Sequence, residues 1–191
     1  RAQTIDEIVA RNIQARGGME ALKSVQSLRI TGHTENSYGK TAFVELRKRG
    51  NKFRIDTPSP APFPPMAEGY DGEIGWMVTP SMEGPVDQDG LKAHEALADI
   101  DGPLVDYRQK GNIVEMAGTE KVLDRDAYHL KVTLKNGSVR HIYLDSQTFL
   151  ESKISKRLGI QDIDSFPDDY RKVNGVMMPF SSKEYIKIAV E

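Results

Sequence analysis

Between Arg125 and Arg157 apolar residues recur at alternate positions and are interrupted by two turn-forming stretches, a pattern that specifies three consecutive antiparallel strands. Tyr128, Leu130, Val132 and Leu134 alternate with His129, Lys131, Thr133 and Lys135, so the first strand has one apolar face and one polar, largely cationic face. Asn136-Gly137 favours a two-residue type I′ turn. With Lys135 facing Ser138, that turn pairs Leu134 with Val139, Val132 with His141 and Leu130 with Tyr143. Ile142 and Leu144 then fall on the opposite face, which requires either a bulge or a sheet covered on part of both sides. Asp145-Ser146-Gln147-Thr148 makes the second turn, and Leu150 and Ile154 return as the third strand. A sheet with one apolar face must lay something against it, and the nature of that cover is the functional question.

The length of 191 residues suits one domain, 1–191, able to bury roughly 70% of its unfolded surface. A net charge of -2 and a pI near 6.1 leave no basic excess, so no nucleic acid is expected as partner. The absence of cysteine removes disulfides, thiolate nucleophiles and cysteine-based metal centres. No apolar run reaches the roughly 18 residues of a membrane-spanning helix. The chain begins at Arg1, which fits a leader removed by processing or a start chosen for expression.

Thr4-Ile5-Asp6-Glu7 reads as a capping box opening a helix over about 5–16, with Ile5, Ile8, Val9 and Ile13 at helical spacing. Gly17-Gly18 stops it, and Met19 to Ser24 adds a short helical turn. Strands are expected over Ser27–Glu35, Lys40–Arg49 and Lys52–Thr57 as a meander. Pro58, Pro60, Pro62, Pro64 and Pro65 make the next stretch an extended loop or lip. Ile74, Trp76 and Val78 alternate on another strand, followed by a polar loop from Ser81 to Gly90. Leu91, His94, Leu97 and Ala98 line a short helix, and Gly102-Pro103 opens a second one that ends before Gly111. Ile113 to Lys121 is a strand, Asp162 to Asp169 an acidic loop, and Asn174-Gly175 a turn leading to a final strand that carries Ile186, Ile188 and Val190.

Little in the sequence points to catalytic or metal chemistry. In the two-residue register His129 lies opposite Leu144 and His141 opposite Val132, so the two project from opposite faces and share no metal. His33 and His94 are isolated, and the acidic run from Asp162 has Pro167 and Val173 where a calcium loop needs Gly and Glu. Gly69, Gly72 and Gly75 lack a following helix to hold phosphate. No catalytic residue, metal or cofactor is therefore expected. Methionines and aromatics spread over many strands suit either an ordinary core or a surface that accommodates variable apolar ligands.

Five stretches taken in order resemble the outer-membrane lipoprotein-sorting family, the LolA/LolB-like periplasmic proteins. They are TIDEIVARNIQARGGMEALKSVQSLRITG from Thr4, YDGEIGWMVTP from Tyr70, DIDGPLVDYRQKG from Asp99, KNGSVRHIYLDSQTFLESK from Lys135 and DYRKVNGVMMPF from Asp169. The resemblance implies an α+β fold, a curved antiparallel sheet forming a half-open barrel with an N-terminal helix and short helices capping its concave face. It also implies a periplasmic, non-enzymatic carrier for a lipid, a lipoprotein acyl chain or another long apolar ligand. Transient contact with a membrane or membrane protein would accompany that role. Combined with the strand pattern, it nominates Phe53, Trp76, Leu97, Leu104, Met116, Leu130, Val132 and Tyr143 as cavity lining, with the helix over 91–99 as lid. Two other readings stay open: a packed interaction module docking through the proline lip, and a small enzyme using His141 beside Tyr143.

Overall fold

The computed structural model describes residues 3–59 and 65–188. In chain order these form α1 (Ile5–Ala15), α2 (Met19–Ser24), β1 (Ser27–Asn36), β2 (Gly39–Lys48), β3 (Lys52–Thr57), β4 (Met66–Tyr70), β5 (Gly75–Thr79) and β6 (Met82–Pro85). There follow α3 (Gln88–Ala98), β7 (Ile113–Val122), β8 (Arg125–Thr133), β9 (Val139–Asp145), β10 (Glu151–Leu158), β11 (Gln161–Val173) and β12 (Val176–Ile188). The chain divides into two compact units, one of Arg1–Ser24 with Pro103–Glu191 and one of Val25–Gly102. Each holds a six-stranded antiparallel meander, β1 to β6 in the second unit and β7 to β12 in the first. No helix among the described residues is long and apolar enough to cross a membrane, which says nothing of strands. Pro60, Pro62, Pro64 and Val190 lie outside the described residues.

In the first unit the capping box forms as expected: the Glu7 N–H donates to Thr4 Oγ1 at 3.2 Å and the Thr4 N–H to Glu7 Oε2 at 2.7 Å. Ile8, Val9 and Asn12 are the buried face of α1. The Asn12 amide donates to the buried Phe149 carbonyl at 2.8 Å, fixing α1 to the turn after β9. Around it Leu104, Val105, Leu130, Val132, Ile142 and Leu144 are each at most 1% exposed and make the core.

The β8–β9 hairpin departs from the expected register by one residue. The Leu134 N–H donates to the Ser138 carbonyl at 2.8 Å and the Gly137 N–H to the Leu134 carbonyl at 2.9 Å, so the loop has three residues. Gly137 alone in this loop takes positive φ, at 85°, as in a type I turn closed by a glycine bulge. Two side chains select that turn: Asn112 Oδ1 accepts from the Lys135 N–H, and Asn136 Oδ1 from the Ser138 N–H, each at 3.1 Å. A one-residue slip exchanges the faces of β9. Leu130 now pairs with Ile142 and Tyr128 with Leu144, which removes the conflict over those two buried side chains. His129 pairs with Tyr143 and Lys131 with His141, all on the other face.

Three further expectations are corrected. Turns replace the helix over 103–110, because Asp106 adopts φ 51° while Asp106 binds Lys23 at 2.6 Å and Tyr107 binds Asp6 at 2.8 Å. Met82–Pro85 is a strand rather than loop, paired along β5 from Trp76 to Thr79. The acidic stretch from Asp162 belongs to β11, where cross-strand partners neutralise it: Arg157 on Asp162 at 2.7 Å, and Ser155 at 2.6 Å and Lys153 at 3.0 Å on Asp164.

Candidate functional site

In the second unit the pairings Phe53 with Tyr70, Gly69 with Trp76 and Tyr70 with Gly75 sort side chains onto two faces of the sheet. One face carries Phe53, Ile55 and Tyr70 and is covered by α3, whose Leu91, Leu97 and Ala98 pack against them. Asp87 caps that helix, its side chain accepting from the Gly90 N–H at 2.8 Å. His94, 5% exposed, stands edge-on to Phe53 at 5.1 Å, and its Nε2 meets Glu68 Oε2 at 2.9 Å. Its Nδ1 has no hydrogen-bond partner among the described residues.

The opposite face, free of α3, holds an open groove of about 370 Å³ lined by Arg54, Asp56, Met66, Ala67, Trp76 and Val78, with Pro58 and Pro65 at its rim. The indole fits here because position 69 has no side chain: a Cβ at Gly69 would stand 2.7 Å from Trp76 Cζ2. Arg54 bridges the polar edge, with Nη2 2.6 Å from Asp56 Oδ1 and its guanidinium carbon 5.5 Å from the Trp76 ring centre. Its hydrogen bond holds the Asp56 carboxyl below the usual carboxylate range. The groove is thus an apolar trough with one fixed, neutralised ion pair at its margin.

A second cluster lies in the first unit, on the face of its sheet that the corrected register assembles. Glu120 Oε1 is 2.7 Å from His129 Nδ1, and His129 Nε2 is 2.7 Å from His141 Nδ1. The Tyr143 ring stacks on His129 at 4.3 Å and 16°. Burial, aided by the charges of His129 and Lys131, holds the His141 pKa below its ordinary value, and burial beside Glu120 pushes the Tyr143 phenol up. Lys131 is paired with Glu115 at 3.2 Å and Lys153 with Asp164 at 3.0 Å. No three His, Asp or Glu side chains converge as metal ligands among the described residues.

The turn after β9 depends on Asp145, 4% exposed, whose Oδ1 accepts from the Thr148 N–H at 2.8 Å, the Gln147 N–H at 3.0 Å and the Thr148 hydroxyl at 3.0 Å. Burial raises its pKa, and these donors together with Arg125 outweigh that, leaving it below the ordinary value. A carboxyl depressed on folding stabilises above its unfolded pKa of about 3.9 and loses that contribution as pH falls through the folded value. Asp145→Asn should accordingly lower Tm at pH 7 while flattening the fall in Tm between about pH 5 and pH 2. An unchanged slope in thermal melts across that range would contradict this role.

The nominated lining residues are dispersed. Trp76 lines the groove, whereas Phe53 and Leu97 belong to the cluster on the α3 side of the same sheet. In the first unit Leu104, Leu130 and Val132 are enclosed in the core, Met116 is 40% exposed beside a bulge in β7, and Tyr143 lies on the face with the histidines. The histidine cluster escaped sequence reading because the type I′ turn separates its members. A three-residue Lys-Asn-Gly loop was the sequence signal that would have joined them.

No protein-family model matches the sequence, and a search of curated proteins returns no significant match. Solved structures do resemble it. A LolA superfamily protein from Nitrosomonas europaea is 16% identical with a TM-score of 0.59, over 100% of this chain and 88% of that one. A DUF1329 family protein from Desulfovibrio piger is 14% identical with a TM-score of 0.56, over 98% and 87%. A candidate outer membrane lipoprotein-sorting protein domain from Vibrio parahaemolyticus is 12% identical with a TM-score of 0.52, over 96% and 92%. Identities this low carry architecture and not activity. With its two antiparallel meanders and few helices, the chain therefore has the α+β, LolA-like fold that the resemblance implied.

Proposed function

We propose that this chain is an extracytoplasmic, non-catalytic carrier for a lipid, a lipoprotein acyl chain or another long apolar molecule. The observation that carries the reading is the trough beside Trp76, an apolar concavity on a sheet face that α3 leaves open. Its volume of about 370 Å³ lies near the small end of ligand sites, so a short stretch of alkyl chain fits and a longer one would run out along Met66 and the proline rim. Burial at about 25 cal/mol per Å² supplies affinity, and one acyl chain held this way binds reversibly, as a carrier requires. The likeness to a candidate lipoprotein-sorting domain supports the same class of cargo. Phe53 and Leu97 would join the site only with α3 lifted from the sheet.

Trp76 is the sole tryptophan, so its emission reports directly on the groove. Titration with a fluorescent long-chain fatty acid should quench Trp76 and transfer energy to the probe, and unlabelled fatty acid should reverse both. Val78→Lys, which places a charge in the trough, should weaken the probe at least tenfold, about 1.4 kcal/mol. Native mass spectrometry of protein taken from its own source should show a co-purifying apolar molecule. Absence of that molecule together with an unresponsive Trp76 would overturn the carrier and favour a packed module.

A further inference from the structure

The sheet face that holds the groove carries a group of cations that the trough does not use. Strand register runs one row of side chains across it, with Arg29 opposite Leu46, Leu46 opposite Arg54, Arg54 opposite Gly69 and Gly69 opposite Trp76. Directly paired residues of an antiparallel sheet share a face, so Arg29 and Leu46 stand on the groove side. Lys48 and Lys52, opposite each other in the neighbouring row, stand there too. Leu46, 39% exposed, thus has Arg29 and Arg54 as cross-strand neighbours and Lys48 next along its own strand face. All four cations are exposed. Among the described residues Arg29 and Lys48 have no bonded partner, and Lys52 feels the charge of Asp71 without a hydrogen bond to it. Arg54 turns Nε and Nη2 to Asp56, which leaves Nη1 without a hydrogen bond. Like charges directly opposite destabilise a sheet, so Lys48 against Lys52 is a repulsion that a bound anion would relieve. The other carboxylates of this face lie away from the quartet, Glu83 opposite Val78 on β6 and Glu35 opposite Lys40 toward the far end of β1.

We propose that Arg29, Lys48, Lys52 and Arg54 form a head-group subsite that takes the carboxylate or phosphate of the cargo over Leu46 while its alkyl chain crosses to Trp76. This rests on the carrier reading and adds to it a polarity and a ligand class, an anionic amphiphile. Arg29 and Arg54 flank Leu46 at one strand spacing on each side, so roughly 10 Å separates their backbones, a gap that two arginine side chains close from both sides over one anion. Guanidinium and ammonium groups donate to the head-group oxygens, and charge on both partners strengthens those bonds. From Leu46 to Trp76 is three strand spacings, roughly 14 Å, along which Ala67, Val78 and the indole offer apolar surface to a chain. Charge sets the direction: Glu83 on β6 repels an anionic head from the Trp76 end, and the quartet attracts it at the β1–β3 end. Asp56 does not reverse this, since it is bonded to Arg54 and is one carboxylate among four cations.

Calorimetry on the full chain with decanoate, decanol and decyltrimethylammonium, which share one alkyl chain, reads the head group apart from the trough. Decanoate should bind about fivefold tighter than decanol, a gain kept modest by the exposed setting of the cations, and decyltrimethylammonium should bind weakest. The preference should fade at high salt. Arg29→Gln combined with Lys48→Gln, two side chains that bond no other described residue, should bring the ratio of decanoate to decanol affinity down to about one. Lys40→Gln, on the same face opposite Glu35, should leave that ratio as in the parent. Should the double variant fail to fold, Arg29→Gln alone should still lower the ratio. Acetate and inorganic phosphate, which lack the chain, should show no saturable binding. Equal affinity for decanoate and decanol would overturn the subsite and leave the carrier standing, whereas failure of every amphiphile to bind would overturn both. Acetate or phosphate bound as tightly as decanoate would make the quartet a site for free anions and overturn the inference. So would salt-sensitive sedimentation with phosphatidylglycerol vesicles that the double variant abolishes while keeping its decanoate preference, since the quartet would then be a membrane-docking surface.

Discussion

Gly17→Ala is expected to destabilise the first unit by about 3 kcal/mol, because the substitution imposes both backbone strain and a collision. Gly17 has φ +121°, and a Cβ built on it would stand 2.2 Å from the Gly175 carbonyl oxygen and 3.3 Å from Val176 Cα. Those are backbone atoms of the turn between β11 and β12, so no side-chain rotation relieves the overlap. The contact is also held from its other side, by the Met177 N–H donating to the Arg16 carbonyl at 3.0 Å. Gly18 is the matched control. Its φ is +89°, but the nearest atom to its Cβ is Gln14 Oε1 at 3.7 Å, so alanine there meets strain without collision and should cost about 1 kcal/mol. Urea unfolding of the two variants side by side separates the terms. Equal losses would mean that conformation alone sets the cost and that the close approach contributes nothing.

That example shows where sequence reading stops. Gly17-Gly18 is legible as a helix stop, since positive φ after a helix is a local demand. That Gly17 must also admit a carbonyl from 158 residues later in the chain, 175 − 17, is a tertiary fact with no local signature. The two Asn-Gly pairs make the same point. At Asn174-Gly175 both residues take positive φ, 48° and 89°, and Val173 pairs with Val176 across the two-residue turn that the sequence predicts. At Asn136-Gly137 the same dipeptide yields a three-residue loop because Asn112, distant in sequence, holds the Lys135 N–H. Alternation within β8 and β9 is legible in the sequence, whereas the register between them is not. In the second unit the strand Met66–Tyr70, hidden behind prolines, inserts between β3 and β5 and sends Phe53 and Trp76 to opposite faces. Alternation names the members of each face, and only register says which faces coincide.

The Arg49–Asp101 pair should show the other large effect, in the second unit. Arg49 Nη1 donates to Asp101 Oδ2 at 3.0 Å and Nη2 to Oδ1 at 2.9 Å, a bidentate fork that ties the β2–β3 turn to the segment just beyond α3. The carboxylate is 5% exposed, and its hydrogen bonds raise the Arg49 pKa. Arg49→Met keeps much of the stem but leaves a buried carboxylate without its guanidinium, which costs about 3 kcal/mol, the low end of the range because the arginine side chain is itself 27% exposed. The loss carries a pH signature. Without the Arg49 fork the buried Asp101 carboxylate loses a counter-charge, so burial weighs more heavily toward its protonated form in the folded state. The penalty is therefore complete at neutral pH and shrinks as pH falls toward about 4. Arg49→Met combined with Asp101→Leu removes both charges and should recover most of the loss, as replacement of a whole buried pair by apolar groups commonly does. The parent, each single variant and the double variant can be followed by urea unfolding through Trp76 emission at pH 7 and pH 4. A double variant as unstable as Arg49→Met at both pH values would assign the cost to lost packing of the arginine stem rather than to the stranded charge.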